Sequence, residues 1–361
     1  MKIYCILCDG APLTSGIQKL ANDTSSKLLT QVSNSFTLTS LLSLLTGKLP
    51  SDLNAGGVGS YTTSRDAVSK KEQPWADDVI FSKRKDWDVY YRNATYVYYL
   101  LYGDERIKQL SAYPGGVEAE KASGWDGIHH IMLGSSEETK RFYQREKQFI
   151  SDAQSSDGSQ KNEMYFVLYH QVHSAISASR NIGAACDRIE ELLSCWDFSE
   201  PDSLFIVFSD HGDFRRINEW STTRDSWLTW AMIKDNSNYN ATSRIKKSMI
   251  SISDLHDLIS EKMGLNTTGI LLQPQDKERI YFMEDARTHI DKFKSTTASA
   301  IKVTAWNEDS PIECVQVIYY KPERRFRMLH HNLCNSSISE YNFVDDKIMS
   351  ALVNRFDWIS G

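Results

Sequence analysis

Three short runs of consecutive apolar residues set the rhythm of the chain: "KIYCILCD" at the start, "MYFVLYHQVH" from Met164 and "SLFIVFSDHG" from Ser203. Each is unbroken rather than alternating and ends in polar residues, the pattern of a strand buried on both faces of a parallel sheet. Helical periodicity fills the spaces. "SSEETKRFYQREKQFISDAQ" opens with Ser and early acids, and "NIGAACDRIEELLSCW" sets Ile182, Cys186, Ile189 and Leu193 on one face. Nearer the N-terminus, "SFTLTSLLSLLTGKLP" (Ser35 to Pro50) repeats leucine at 38, 41, 42 and 45, with Gly47 to end the helix and Pro50 beyond it. Thr37 falls at or near the N-cap of that helix. Its oxygen would sit among unpaired backbone N–H groups, a place that also suits phosphate or sulfate.

Further along, "SWLTWAMIK" predicts a strand and "ISDLHDLISEKMGL" a helix stopped at Gly264. From about Lys277 the alternation gives way to "RIYFMED", "ASAIKVTAW" and "IECVQVIYYKPERRFRMLHH", followed by a helix, "DDKIMSALVNRF". The expected fold class is α/β, a doubly wound, mostly parallel sheet flanked by helices, with a smaller C-terminal α+β subdomain. We place the boundary between a catalytic domain at 1–275 and an antiparallel subdomain at 276–361. Between Ser51 and Gln160 no motif stands out, and "NAGGVGS" reads as a loop rather than a phosphate cradle because it lacks the required spacing.

Composition narrows the classes. In 361 residues, 41% are hydrophobic and 24% charged, and a net charge of −6 gives no reason to expect a nucleic-acid partner. No apolar run approaches the roughly 18 residues of a transmembrane segment, and no signal layout precedes Asp9, so the expected location is cytoplasmic. The six cysteines are scattered and read as free, packed thiols. The N-x-S/T triplets at Asn93 and Asn240 read as accidental.

In a doubly wound sheet, ligands collect outside the carboxyl ends of the strands, where Asp9, His173, Asp210 and His211 stand. Cleaving a phosphate or sulfate ester needs an in-line oxygen nucleophile and positive charge on the transferring group. A divalent metal held by carboxylate and imidazole meets both needs. With the Thr37 hydroxyl, these residues supply that set of atoms.

The same stretches resemble the alkaline phosphatase superfamily, especially its sulfatase-like branch, which includes sulfatases and phosphoethanolamine and phosphoglycerol transferases. "CILCDG" is similar to the family's first strand and metal-binding Asp, "TLTSLLSLLTGKLP" to its nucleophile helix, "YFVLYHQVH" to the strand ending in an active-site His, and "FIVFSDHGD" to the metal-binding Asp-His-Gly. The resemblance implies Thr37 as nucleophile, with Thr39 and Ser40 as rival hydroxyls. It implies Asp9, Thr37, Asp210 and His211 around one divalent ion (Mn, Mg or Zn), and His173 as a catalytic donor. On a continuing strand, His170 and His173 would point to opposite faces; the resemblance selects His173 and leaves His170 structural. Formylglycine sulfatases carry Cys or Ser, then Pro, then Arg, where this chain has Thr37, Thr39 and Leu41. Phosphate esters are therefore the expected substrates, small molecules or glycan or lipid precursors, with a sulfatase lacking formylglycine or a catalytically silent binding protein as alternatives. Arg215, Arg216 and Arg224 are candidate contacts for the anionic substrate.

Overall fold

The computed structural model describes residues 1–34, 37–53, 77–93, 107–155, 161–212, 227–237, 241–285, 297–321, 323–335, 337–340 and 345–360. In chain order its first half holds β1 (Lys2–Cys8), α1 (Ser15–Asp23), β2 (Lys27–Val32), α2 (Thr37–Thr46), β3 (Trp87–Arg92), β4 (Ile107–Leu110), α3 (Gly116–Leu133), α4 (Glu137–Ser155) and β5 (Asn162–Tyr169). The second half holds α5 (Gln171–Ser177), α6 (Ile182–Leu193), β6 (Ser203–Phe208), β7 (Leu228–Asp235), β8 (Met249–Ser251), α7 (Ile252–Lys262), β9 (Ile280–Asp285), β10 (Thr297–Asn307), β11 (Ser310–Tyr320), β12 (Arg325–Asn332), β13 (Ile338–Glu340) and α8 (Asp346–Arg355). A mostly parallel sheet has the order β4-β3-β5-β1-β6-β7-β2-β8, and a separate antiparallel sheet the order β13-β12-β11-β10-β9. The fold is the mixed α/β architecture expected from the apolar runs.

The chain divides into two compact units, one built from Met1–Leu28, Phe81–Ser209 and Trp230–Ile245, the other from Leu29–Ile80, Asp210–Thr229 and Lys246–Gly361. In the first, β1 is buried along its whole length and pairs in parallel with β5 on one side and β6 on the other. The strand is interior to the sheet and all of its residues are buried, which accounts for the uninterrupted apolar run. Each fully buried Ile, Leu or Phe there is worth about 1.5–3 kcal/mol. The aromatic rings of Tyr4, Tyr165 and Phe205 stack across the three strands, with centroids 5.3 and 4.6 Å from Tyr4. β7 runs antiparallel to β6, a direction that an apolar run does not encode.

Within the second unit, β2 pairs in parallel with β8. The antiparallel sheet packs one face on α8 through Ala300, Val317, Ile348 and Leu352. α2 ends at Gly47, whose φ of +71° suits glycine; its N–H bonds to the Ser43 carbonyl at 2.9 Å. The ring of His256 on α7 donates from Nδ1 to the carbonyl of Leu44 at 3.1 Å, fastening α7 to α2.

The six cysteines are free, but Cys195 and Cys334 are exposed rather than packed. Asn93 is buried, and its amide donates to Glu146 and accepts from the Ala112 N–H, so it is no glycan acceptor. Asn240 lies outside the described residues, as does "NAGGVGS". Among the described residues no helix is long and apolar enough to cross a membrane.

Candidate active site

In the first unit the chemistry gathers where β1 and β5 end. Asp9 follows β1 directly, its N–H bonded to the Tyr169 carbonyl at 3.0 Å, and Gly10 with φ +65° lets the chain turn away behind it. The Asp9 carboxylate is fully buried and accepts from two imidazoles, His170 Nδ1 at 2.9 Å and His173 Nδ1 at 3.0 Å. A carboxylate only accepts, so both rings carry their proton on Nδ1.

The two histidines do not stand on opposite faces of a strand, contrary to the expectation from strand phase. β5 stops at Tyr169, and His170 is the N-cap of α5, so His173 sits in the first helical turn. Residues three apart across a helix start share a face. Both rings reach Asp9, and His170 is as much a part of this cluster as His173.

In the second unit a hydroxyl meets an imidazole. Thr37 is the first residue of α2, and its Oγ1 lies 3.0 Å from Nε2 of His211, both residues buried. Nδ1 of His211 donates to the Gly212 carbonyl at 2.7 Å, which leaves the Nε2 lone pair facing the threonine. Asp210, fully buried, has Oδ2 3.7 Å from the same Nε2. The rival hydroxyls are elsewhere engaged or enclosed: Ser40 donates to the Asn34 carbonyl at 2.9 Å, and Thr39 is fully buried.

Sequence reasoning missed the residue that fixes α2. Asn34, buried, donates to the Thr39 carbonyl and to Ser43 Oγ, both at 3.1 Å, while its own oxygen accepts the Glu284 N–H at 2.9 Å. Glu284 in turn accepts the Ser51 N–H at 2.8 Å. A single Asn before a capped helix carries no signal of this kind, because its partners lie far along the chain. Arg215, Arg216 and Arg224 lie outside the described residues.

Asp9 with His173 in the first unit, and Asp210, His211 and Thr37 in the second, are donors of the chemical kind that can hold a divalent cation. Buried carboxylates such as Asp9 and Asp210 are costly without compensating charge, and oxygen and imidazole donors suit Mn²⁺ or Zn²⁺. The residues present fit such an ion.

At the level of sequence, no family profile and no curated protein matches the chain. The fold does match: it is the sulfatase-like fold of the alkaline phosphatase superfamily. A protein of that superfamily from Vibrio parahaemolyticus is 13% identical with a TM-score of 0.60, over 99% of this chain and 86% of its own. A putative sulfatase from Bacteroides thetaiotaomicron is similar with a TM-score of 0.54 at 9% identity, over 99% and 91%. The PsFucS1 sulfatase from Pseudoalteromonas sp. gives 0.52 at 13%, over 99% and 90%.

Proposed function

We propose that the protein is a metal-dependent enzyme that transfers or hydrolyses phosphate esters through a covalent phosphothreonine on Thr37. The observation that carries this reading is the buried Thr37 Oγ1 at 3.0 Å from the lone-pair side of His211, at the start of a helix. A hydroxyl needed only to begin a helix gains nothing from a buried imidazole aimed at it.

Asp9, Asp210, His211 and Thr37 would hold one divalent ion, Mn²⁺, Mg²⁺ or Zn²⁺. Such an ion lowers the pKa of a bound hydroxyl and draws charge from the ester oxygens. Thr37 Oγ, its proton released to water, would form a bond to phosphorus as the bond to the alcohol oxygen breaks, and the electron pair would leave with that oxygen. His173, whose ring is held by Asp9 through Nδ1 and is partly exposed, would protonate the departing alcohol from Nε2 when both of its ring nitrogens carry a proton. Water or a second alcohol attacks the phosphothreonine in the next step, and Thr37 leaves with its oxygen. The N-terminal N–H groups of α2 favour the anionic group throughout. Arg215, Arg216 and Arg224 are proposed to neutralise the rest of the substrate, and small-molecule, glycan-precursor or lipid-precursor esters in the cytoplasm remain the proposed substrate class.

A second reading, sulfate-ester hydrolysis without formylglycine, is supported by the names of the structural neighbours, one of which is crystallised with a neocarrahexaose. Paired aryl phosphate and aryl sulfate esters, with mass spectrometry of a trapped intermediate, separate the two. A phosphoryl adduct on Thr37 is the expected result. A clear preference for sulfate, or an adduct elsewhere, overturns it.

A further inference from the structure

A cavity of about 780 Å³ opens in the first unit where β6 begins and β7 ends. β7 is antiparallel to β6, with Lys234 opposite Phe205 and Asp235 opposite Leu204, so the end of β7 lies beside the start of β6. Asp9 follows the far end of β1, a strand parallel to β6. The length of these strands separates the cavity from Asp9 by about 20 Å, at about 3.3 Å per residue.

The lining is unlike that of an apolar ligand pocket. Ser25, Ser26, Ser199, Ser237, Thr242 and Ser243 bring hydroxyls to it, and Lys27 and Lys234 bring two half-buried ammonium groups. Neither lysine has a carboxylate partner among the described residues, whereas nearby Lys2 is paired with Glu200 at 2.8 Å. The lining carboxylate, Asp235, turns one oxygen to the Ser237 N–H at 3.0 Å. The walls are fixed in advance: Asn236 donates to the carbonyls of Phe198 and Glu200 at 2.8 and 3.0 Å, and the Asp235 N–H is held by Thr242 Oγ1 at 2.7 Å. Thr242 accepts in that bond, so its hydroxyl proton is left to donate.

Two cations with no carboxylate partner among the described residues, facing a hydroxyl-lined space, call for a tetrahedral oxyanion, and the surrounding hydroxyls call for a polyol. We infer that this cavity is a binding site for a sugar bearing a phosphate or sulfate group, separate from the proposed site of ester cleavage. Its volume falls in the range of small-molecule sites, roughly 300–1,000 Å³, with room for a sugar and its charged substituent.

Calorimetric titration of the full chain tests the site, carried out on the Thr37→Ala variant so that no ester is consumed. Glucose 6-phosphate and glucose 6-sulfate are expected to bind and glucose is not. Replacing both lysines, Lys27→Gln with Lys234→Gln, is expected to weaken binding at least tenfold while the melting temperature and the aryl-ester turnover of the otherwise native enzyme stay unchanged. Unchanged affinity in the double variant overturns the assignment, as does glucose binding as tightly as its esters. Inorganic phosphate binding as tightly as glucose 6-phosphate overturns the assignment to a sugar. Loss of the binding event in Asp210→Ala, with the lysine variant unaffected, moves the ligand to the cleavage site and overturns it too. Failure of ester turnover alone leaves these binding measurements standing, so the two readings fail separately.

Discussion

Thr37 has a packing role and a proposed chemical one, and substitution separates them. In Thr37→Ala the bond to His211 Nε2 is lost, which costs roughly 0.5–1.5 kcal/mol. A domain of ordinary stability survives that loss, so denaturant unfolding is expected to remain cooperative while turnover falls to background. Thr37→Ser keeps an oxygen in reach and is expected to retain part of the activity. Near-normal turnover by the alanine variant would make Thr37 a helix residue and nothing more. The position of Thr37 is legible in the sequence, because the leucine repeat, Gly47 and Pro50 bound the helix and the motif resemblance counts back to that residue. The role of His170 is not: the apolar run "YFVLYHQVH" does not say that the strand stops at Tyr169, and the phase rule for strands fails once the chain turns into α5.

Elements differ in how much of themselves the sequence reveals. β1, β5 and β6 are unbroken apolar runs because both faces are covered, and that pattern makes them and the helices between them readable. α3 (Gly116–Leu133) leaves no such trace, since it contains Gly124 and Gly127 within its length and starts at Gly115 and Gly116, both with positive φ. Each interior glycine costs a helix about 1 kcal/mol, so local preference argues against an element that the fold nonetheless forms. The bonds that anchor α2 are equally hidden, being made by Asn34 to Glu284 across 250 positions. For Asn34→Ala we expect a loss of roughly 0.5–1.5 kcal/mol for each hydrogen bond removed. Turnover should drop further than in a variant of equal stability cut elsewhere, since the start of α2 loses its anchor; urea unfolding and kinetics on the same preparation check this. The short turn of helix at Pro50–Leu53 is tied to α8 by Asp52 and Arg355, whose forks meet at 2.8 and 2.5 Å. Burial alone would raise the Asp52 pKa, but the hydrogen bonds and charge of Arg355 outweigh it and hold the carboxyl below its ordinary value. A depressed acid stabilises the fold fully above its unfolded pKa of about 3.9 and ceases to do so as the pH falls through its folded value. Asp52→Asn is therefore expected to be less stable than the native chain at pH 6, with the difference shrinking below about pH 4. A difference independent of pH in chemical denaturation would mean that the pair contributes nothing through charge.

At the scale of the whole molecule, the proposed donors include two fully buried carboxylates, Asp9 and Asp210. Burying a carboxylate's charge away from water is costly, and a divalent ion would offset that cost. An ion held in this way would make stability, as well as the proposed activity, depend on it. An ion that binds the folded chain and not the unfolded one adds RT ln(1 + [L]/Kd), about 2.7 kcal/mol at a hundredfold excess over Kd. Extensive dialysis against a chelator is therefore expected to abolish turnover and lower the melting temperature, and Mn²⁺ or Zn²⁺ to restore both. Elemental analysis of the reloaded protein should find one ion per chain. Asp210→Asn should lose the ion and the metal-dependent rise in melting temperature, whereas the Lys27→Gln and Lys234→Gln double variant should keep both. An ion retained by Asp210→Asn at native affinity, or melting that ignores metal while turnover responds to it, would place the cation elsewhere and remove these residues from the ester chemistry proposed for Thr37.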